Sequence, residues 1–252
     1  MTLSNRKILR TLLCLLAGTL YAVCLSACDA KEPLSENRDA EIESPVIAND
    51  LSNQKVTAIA EDTQGHIWIG TFRGLNKNNV HDYHQYFCTD DSLGLPDNQI
   101  THLLRDSKNR FWVGTVNGVC LYTDKDNFRI IPIEADNKNV RQILEDRNGR
   151  IFLNTGFQLY AYHPREEKIT CVLPEISPGN AFYAQCHIAP DNNLWVMTST
   201  GLRCYDPSTL QLKESVALSG YPYYSYLHNN ELWITGNHTL STVSYTHLTL
   251  PT

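Results

Sequence analysis

Three groups of residues in this chain have types and spacings that could do chemistry. Carboxylates pair at Glu61-Asp62 and at Glu145-Asp146, as general acid and base catalysis requires. His81 and His84 stand at a spacing that would put two imidazoles on one helix face for a metal. Tyr221-Pro222-Tyr223-Tyr224-Ser225-Tyr226 gathers aromatic rings of the kind that stack on sugars. Each group also has an ordinary structural explanation. The carboxylate pairs recur at the same place before a turn, the histidines lie in a stretch without helical period, and tyrosine is a good strand former. No Gly-rich phosphate loop, Gly-x-Ser-x-Gly or His-Glu-x-x-His occurs. The expectation is therefore no catalytic residue, no metal and no cofactor in this segment.

The elements that would hold such residues come from a repeat. Gly65-His66-Ile67-Trp68-Ile69-Gly70-Thr71 returns as Asn109-Arg110-Phe111-Trp112-Val113-Gly114-Thr115, as Gly149-Arg150-Ile151-Phe152-Leu153-Asn154-Thr155, and more loosely around Trp195 and Trp233. The aromatic anchors are about forty residues apart, a period of propellers and solenoids. Before each anchor runs a period-two apolar segment such as Ile100-Thr101-His102-Leu103-Leu104, then a turn such as Asp106-Ser107-Lys108-Asn109. The last turn residue is Gly65, Asn109, Gly149, Asn192 or Asn230, types that tolerate positive φ. Asp62, Asp106 and Asp146 open three of the turns, where a carboxylate can accept the turn's own amides.

A third strand follows each of the first four anchor strands, and a fourth is visible at Phe128-Arg129-Ile130-Ile131 and Lys168-Ile169-Thr170-Cys171. Four antiparallel strands in about forty residues make one propeller blade. Runs apolar on both faces, such as Phe111-Trp112-Val113, suit strands sandwiched between blades. The fold class is therefore all-β: a β-propeller of four-stranded antiparallel blades over 55–242, with about five blades present of a ring expected to hold seven.

The ends differ from the middle. Arg6, Lys7 and Arg10 precede an apolar run from Leu12 to Leu25, which reads as a signal peptide over 1–27. The run closes on Leu25-Ser26-Ala27-Cys28, which resembles a lipobox with Cys28 as the acylated first mature residue. Residues 28–54 are acidic and aromatic-poor and read as a flexible tether. The net charge is -6, and loss of Arg6, Lys7 and Arg10 with the signal leaves 18 basic against 27 acidic side chains, or -9. That balance argues against a nucleic-acid partner. Residues 243–252 read as translated sequencing adaptor fused to a truncated gene, because the fifth repeat dissolves where its third strand should begin.

Five cysteines remain beyond the signal region, Cys88, Cys120, Cys171, Cys186 and Cys204, without the spacing of a disulfide framework. Loops between second and third strands emerge on one rim and carry Phe72, Arg73, Asn117, Phe157, Gln158 and His238, the candidate ligand-binding residues.

The segment Ile100 to Val119, with the preceding Leu93-Gly94-Leu95-Pro96-Asp97-Asn98-Gln99, resembles the two-component regulator propeller repeats of hybrid sensor histidine kinases. The match extends over about 55–242 and fades in the later units, where Phe152 replaces Trp and Asn154, Met197 and Thr235 replace Gly. The resemblance implies an exported, membrane-anchored sensor facing the periplasm, at the inner rather than the outer membrane. It implies a glycan or other small extracytoplasmic ligand, a homodimer in the full-length protein, and histidine kinase activity encoded beyond this segment. The alternative is a free-standing propeller lipoprotein that binds glycan or protein partners at the cell surface.

Overall fold

The computed structural model describes residues 45–89, 94–123, 125–176, 184–218, 222–228, 231–236 and 239–244. These form five antiparallel sheets and no helix, in chain order five blades of a β-propeller. Blade 1 contains β1 (Val46–Ala48), β2 (Val56–Glu61), β3 (Ile67–Thr71), β4 (Gly74–Asn78) and β5 (Tyr83–Tyr86). Blade 2 contains β6 (Ile100–Arg105), β7 (Phe111–Thr115), β8 (Gly118–Tyr122) and β9 (Phe128–Ile131). Blade 3 contains β10 (Gln142–Glu145), β11 (Ile151–Asn154), β12 (Leu159–His163) and β13 (Lys168–Leu173). Blade 4 contains β14 (Gln185–Ile188), β15 (Leu194–Thr198), β16 (Gly201–Tyr205) and β17 (Leu212–Ala217). Blade 5 contains β18 (Pro222–His228), β19 (Glu231–Gly236) and β20 (Thr239–Ser244). The first repeat strands, β2, β6, β10, β14 and β18, adjoin one another as the inner wall.

The hairpin between first and second strands is built as its residues dictate. Gly65, Asn109, Gly149 and Asn192 have φ of 84°, 62°, 73° and 68°, and Asn230 lies outside the described residues. Asp106 Oδ1 accepts the amides of Lys108 and Arg110 at 3.0 and 2.9 Å, and Asp62 and Asp146 do the same in their own turns. The second carboxylate oxygen does more than the sequence indicated. It accepts the indole N–H of the anchor tryptophan six residues on, Trp68 from Asp62 at 2.9 Å and Trp112 from Asp106 at 2.8 Å. A buried indole thereby keeps a partner inside an apolar layer.

The core is four layers, each between neighbouring blades. Trp68 packs on Phe111 and Tyr122 of blade 2, with ring centroids 5.1 and 4.7 Å apart, and Trp112 packs edge-on to Tyr162 of blade 3 at 4.9 Å. Phe152 and Trp195 sit in the next two layers. The glycine two residues beyond Trp68 has a steric reason: a Cβ on Gly70 would lie 2.5 Å from Ile100 Cγ2. In blade 3 that place holds Asn154, fully buried, donating to Gln142 Oε1 and to the Ala184 carbonyl, each at 2.8 Å. The faded repeat there has exchanged a close approach for a polar stitch to the next blade.

Strand pairing reaches beyond the expected propeller bounds at both ends. Part of the expected tether over 28–54 is folded: Val46–Ala48 pairs with Tyr83–Gln85, and Ser52 N–H donates to Asn76 Oδ1 at 2.8 Å. The reason is local, because Val-Ile-Ala is strand-forming and β5 offers an open ladder edge. At the other end the third strand of the fifth repeat does form. β20 pairs with β19 from Thr239 through Ser244, so the ladder continues two residues past Thr242. Among the described residues blade 5 has three strands rather than the expected four.

The outer faces of the array are open. Ile59 and Ile67 of blade 1 are 65% and 39% exposed, whereas their repeat equivalents in blade 2, Leu103 and Phe111, are 6% and 4%. Trp233 is 37% exposed, against 0–2% for Trp68, Trp112 and Trp195.

Candidate functional site: the channel mouth and its rim

Antiparallel connectivity puts the hairpins between second and third strands on the same rim as the starts of the inner strands. In blades 1, 2 and 4 the hairpin is closed by the threonine that ends the second strand. Thr71, Thr115 and Thr198 hydroxyls donate to the carbonyls of Gly74, Gly118 and Gly201 at 2.8, 2.9 and 3.0 Å and accept an amide inside the loop. The linkers between blades bind to these corners, as in Gly74 N–H to Asn98 O at 2.7 Å and Val116 N–H to Gln99 O at 3.2 Å. The rim is therefore rigid, a suitable base for recognition.

Phe72, Arg73 and Asn117 are exposed at these corners. Phe72 carries the Lys55 ammonium 4.0 Å from its ring centre. Blade 3 has a longer corner, so Phe157 and Gln158 are half-buried and not equivalent to Phe72 and Arg73. Gln158 Oε1 already accepts the Tyr160 hydroxyl at 2.7 Å. His238 and Cys28 lie outside the described residues.

Sequence reasoning missed the cavity beside these corners. A hollow of about 240 Å³ is lined by Thr57, Gln99, Thr101, Val116, Asn139 and Arg141, from inner strands and linkers of blades 1 to 3. Asn139 Oδ1 is buried there without a donor among the described residues. Arg141 also lines a second hollow of about 460 Å³ that runs toward Gln185, His187 and Tyr223. A buried acceptor, threonine hydroxyls and a guanidinium suit a hydroxyl-rich ligand. No sequence signal marks Asn139, since its role depends on the linker path.

The inner wall carries a stitch between blades that the sequence also did not display. His102 Nδ1 accepts the Ile143 N–H at 3.3 Å, Gln142 Oε1 the Cys186 N–H at 2.9 Å, and Gln185 Oε1 the Ser225 N–H at 2.7 Å. These three acceptors occupy one repeat position and satisfy the edge amides of the next inner strand. Burial lowers the pKa of His102 and of His187 to about 4, so both are neutral at pH 7.

His187 Nε2 lies 2.7 Å from Ser225 Oγ, the separation of a nucleophile and its base. The geometry gives a different answer. Ser225 Oγ donates to Gln185 Oε1 at 2.9 Å, which leaves the imidazole to donate to the hydroxyl, and Ser225 is 2% exposed. The pair is a structural clasp. Cys120, Cys186 and Cys204 are buried, and burial pushes the Cys186 and Cys204 thiols up to about 12 and about 11, away from thiolate chemistry. Among the described residues no group of three His, Cys, Asp or Glu side chains is placed to hold a metal.

The fold and the rim define a propeller of the kind that presents ligand surfaces on rigid blades. The family model described as two component regulator propeller matches residues 50–73 and 94–117, so blades 1 and 2 carry repeats of that type. The extracellular domain described as a hybrid two-component system of B. thetaiotaomicron is similar at 20% identity, with TM-score 0.61 over 75% of this chain and 27% of that one. Virginiamycin B lyase from Staphylococcus aureus is similar at 17% identity, with TM-score 0.60 over 80% of this chain and 71% of that one. A gluconolactonase from Xanthomonas campestris is similar at 12% identity, with TM-score 0.53 over 74% and 71%. At these identities the likeness shows the propeller fold, and the chain spans about a quarter of the length of the first relative, 27%. No curated protein matches the sequence.

Proposed function

We propose that this chain is the ligand-sensing propeller of an exported, membrane-anchored two-component signalling protein of the hybrid histidine kinase type, responding to a glycan. The observation that carries the reading is the pair of two-component regulator repeats at 50–73 and 94–117, placed in the blades whose corners border the channel-mouth hollow. The similarity to an extracellular two-component domain supports export, and the signal segment ending at Cys28 supports anchoring. In this reading the propeller binds and positions, and phosphoryl transfer takes place in a kinase core encoded further on.

The test has separable parts. A saccharide panel is titrated against the chain and against Asn139→Ala, Arg141→Ala and Asn117→Ala variants. Saturable binding weakened about tenfold or more by Asn139→Ala supports a glycan site at the mouth, and a panel without any binder removes the glycan. Reading the gene beyond codon 242 decides the rest: a kinase core supports the sensor, and an early stop favours the free-standing lipoprotein. Membrane fractionation of Cys28→Ala, expected to shift the protein to the soluble fraction, checks the anchor.

A further inference from the structure

On the opposite rim, between blades 1 and 2, lies a cleft whose chemistry the repeat does not require. It has a volume of about 440 Å³ and is lined by three cations, Lys77, Arg105 and Lys125, and by two carboxylates, Asp62 and Asp126, together with Tyr122. The repeat, compared with itself, isolates two of these residues. Lys77 stands opposite Trp68 in the ladder, a place held by Leu121, Ala161, Cys204 and Thr242 in the other blades. Arg105 stands opposite Phe111, a place held by Glu61, Glu145, Ile188 and Leu227 elsewhere. The fold needs a cation at neither position, yet two different blades bring one each to the same cleft. Departures from an otherwise consistent pattern concentrate where a protein has a task.

The cations are also incompletely answered by the protein. The Lys77 side chain is 14% exposed, and its ammonium is 3.5 Å from the Tyr122 hydroxyl and 4.0 Å from Asp126 Oδ1. The Trp68 and Tyr122 ring centres are 5.4 and 5.5 Å away. That is sparse compensation for a group with three protons to place. Arg105 gives one N–H to the Asp62 carbonyl at 2.9 Å. The carboxylates nearby have other commitments. Asp62 accepts two turn amides, the Trp68 indole and His66, and Asp126 Oδ1 accepts the Tyr86 and Tyr122 hydroxyls at 2.6 and 2.9 Å. Lys125 and Asp126 both adopt positive φ, 64° and 60°, a costly pair of conformations for residues with a Cβ. These features stand on a chain of net charge -6, where a chance gathering of three cations in one cleft is disfavoured.

We infer that this cleft binds a small oxyanion-bearing ligand, a carboxylate, phosphate or sulfate, with Lys77 and Arg105 holding the anion and Lys125 at the opening. Its volume is at the small end of ligand cavities, about 300–1,000 Å³. The inference stands on the cleft alone and does not depend on the glycan reading.

Calorimetric titration of the whole chain at low ionic strength tests it, with citrate, inorganic phosphate and inorganic sulfate as probes and glucose as the neutral control. The expected result is saturable binding of at least one anion, weakened by added salt, and weakened about tenfold or more in both Lys77→Met and Arg105→Gln. Arg129→Gln, which removes a surface cation paired with Glu167 elsewhere on blade 2, should bind as the parent does. Should Lys77→Met fail to fold, Arg105→Gln carries the test, because its side chain is exposed. Absence of saturable binding at millimolar anion, or binding undiminished in the folded variants, overturns the inference. Equal binding of glucose and of the anions overturns it as well.

Discussion

Replacing Asp106 with alanine should expose how each hairpin is locked. The carboxylate is fully buried and accepts four donors: the Lys108 and Arg110 amides at 3.0 and 2.9 Å, Arg110 Nε at 2.6 Å and the Trp112 indole at 2.8 Å. The turn amides and the partly exposed guanidinium can find water, at a loss of about 0.5–1 kcal/mol each. The Trp112 indole cannot, because the residue is 0% exposed, and an orphaned buried donor costs about 1–3 kcal/mol. The sum is roughly 2.5–6 kcal/mol, which brackets the ~3–5 kcal/mol for breaking a buried, paired charge. Asp146 supplies an internal control. It makes the same turn and arginine contacts, but Phe152 stands where the indole would be and has nothing to donate. Asp146→Ala should therefore cost about 1–3 kcal/mol less than Asp106→Ala, by the indole contribution alone. Thermal melts followed by tryptophan emission would read this as a midpoint lower by roughly 10 °C for Asp106→Ala, at about 2–4 °C per kcal/mol for this size. In a Trp112→Phe background the two aspartate losses should converge. Equal losses in the parent background, or a loss under about 1 kcal/mol at Asp106, would refute the lock.

Other consequences are equally direct. Because burial depresses the folded-state pKa of His102 and His187 to about 4, the unfolded chain binds the extra protons first on acidification. Stability should therefore fall from pH 6.5 to 4, and His102→Gln, which installs the residue found at the equivalent Gln142 and Gln185, should flatten part of that fall in a pH series of melts. Asp62 works in the same direction at lower pH: burial alone would raise its pKa, but hydrogen bonds from Trp68, His66 and Gln64 outweigh it and hold the carboxyl below its usual value. Its contribution is present above the unfolded pKa and disappears as pH falls through the folded one, measurable as an acid-melt shift in Asp62→Asn. Gly70→Ala should destabilise by about 1–3 kcal/mol through overpacking against Ile100, with partial relief in Gly70→Ala/Ile100→Val. The open faces around Ile59, Ile67 and Trp233 should bind a hydrophobic dye and promote association; Ile59→Lys/Ile67→Lys should reduce both, as read by dye emission and light scattering.

The sequence by itself determined the period, the all-β class and the hairpin. Each follows from local rules: alternation makes a strand, an Asp opens a turn, and Gly or Asn takes positive φ where Gly65, Asn109, Gly149 and Asn192 do. The two-face apolar pattern of Phe111-Trp112-Val113 likewise announced burial between blades, and all three are at most 4% exposed. The tertiary structure decided what depends on neighbours distant in the chain. It decided that Val46–Ala48 joins blade 1, because a strand needs an open ladder edge before its propensity counts. It decided that the Asp carboxylate clasps the anchor indole, because six residues of chain must fold back before the two groups meet. It also decided that Lys77 and Arg105 share a cleft and that Asn139 stands at the channel mouth. Period and propensity act along a few residues of chain, whereas a site is made where separate blades converge, and that convergence is a property of packing.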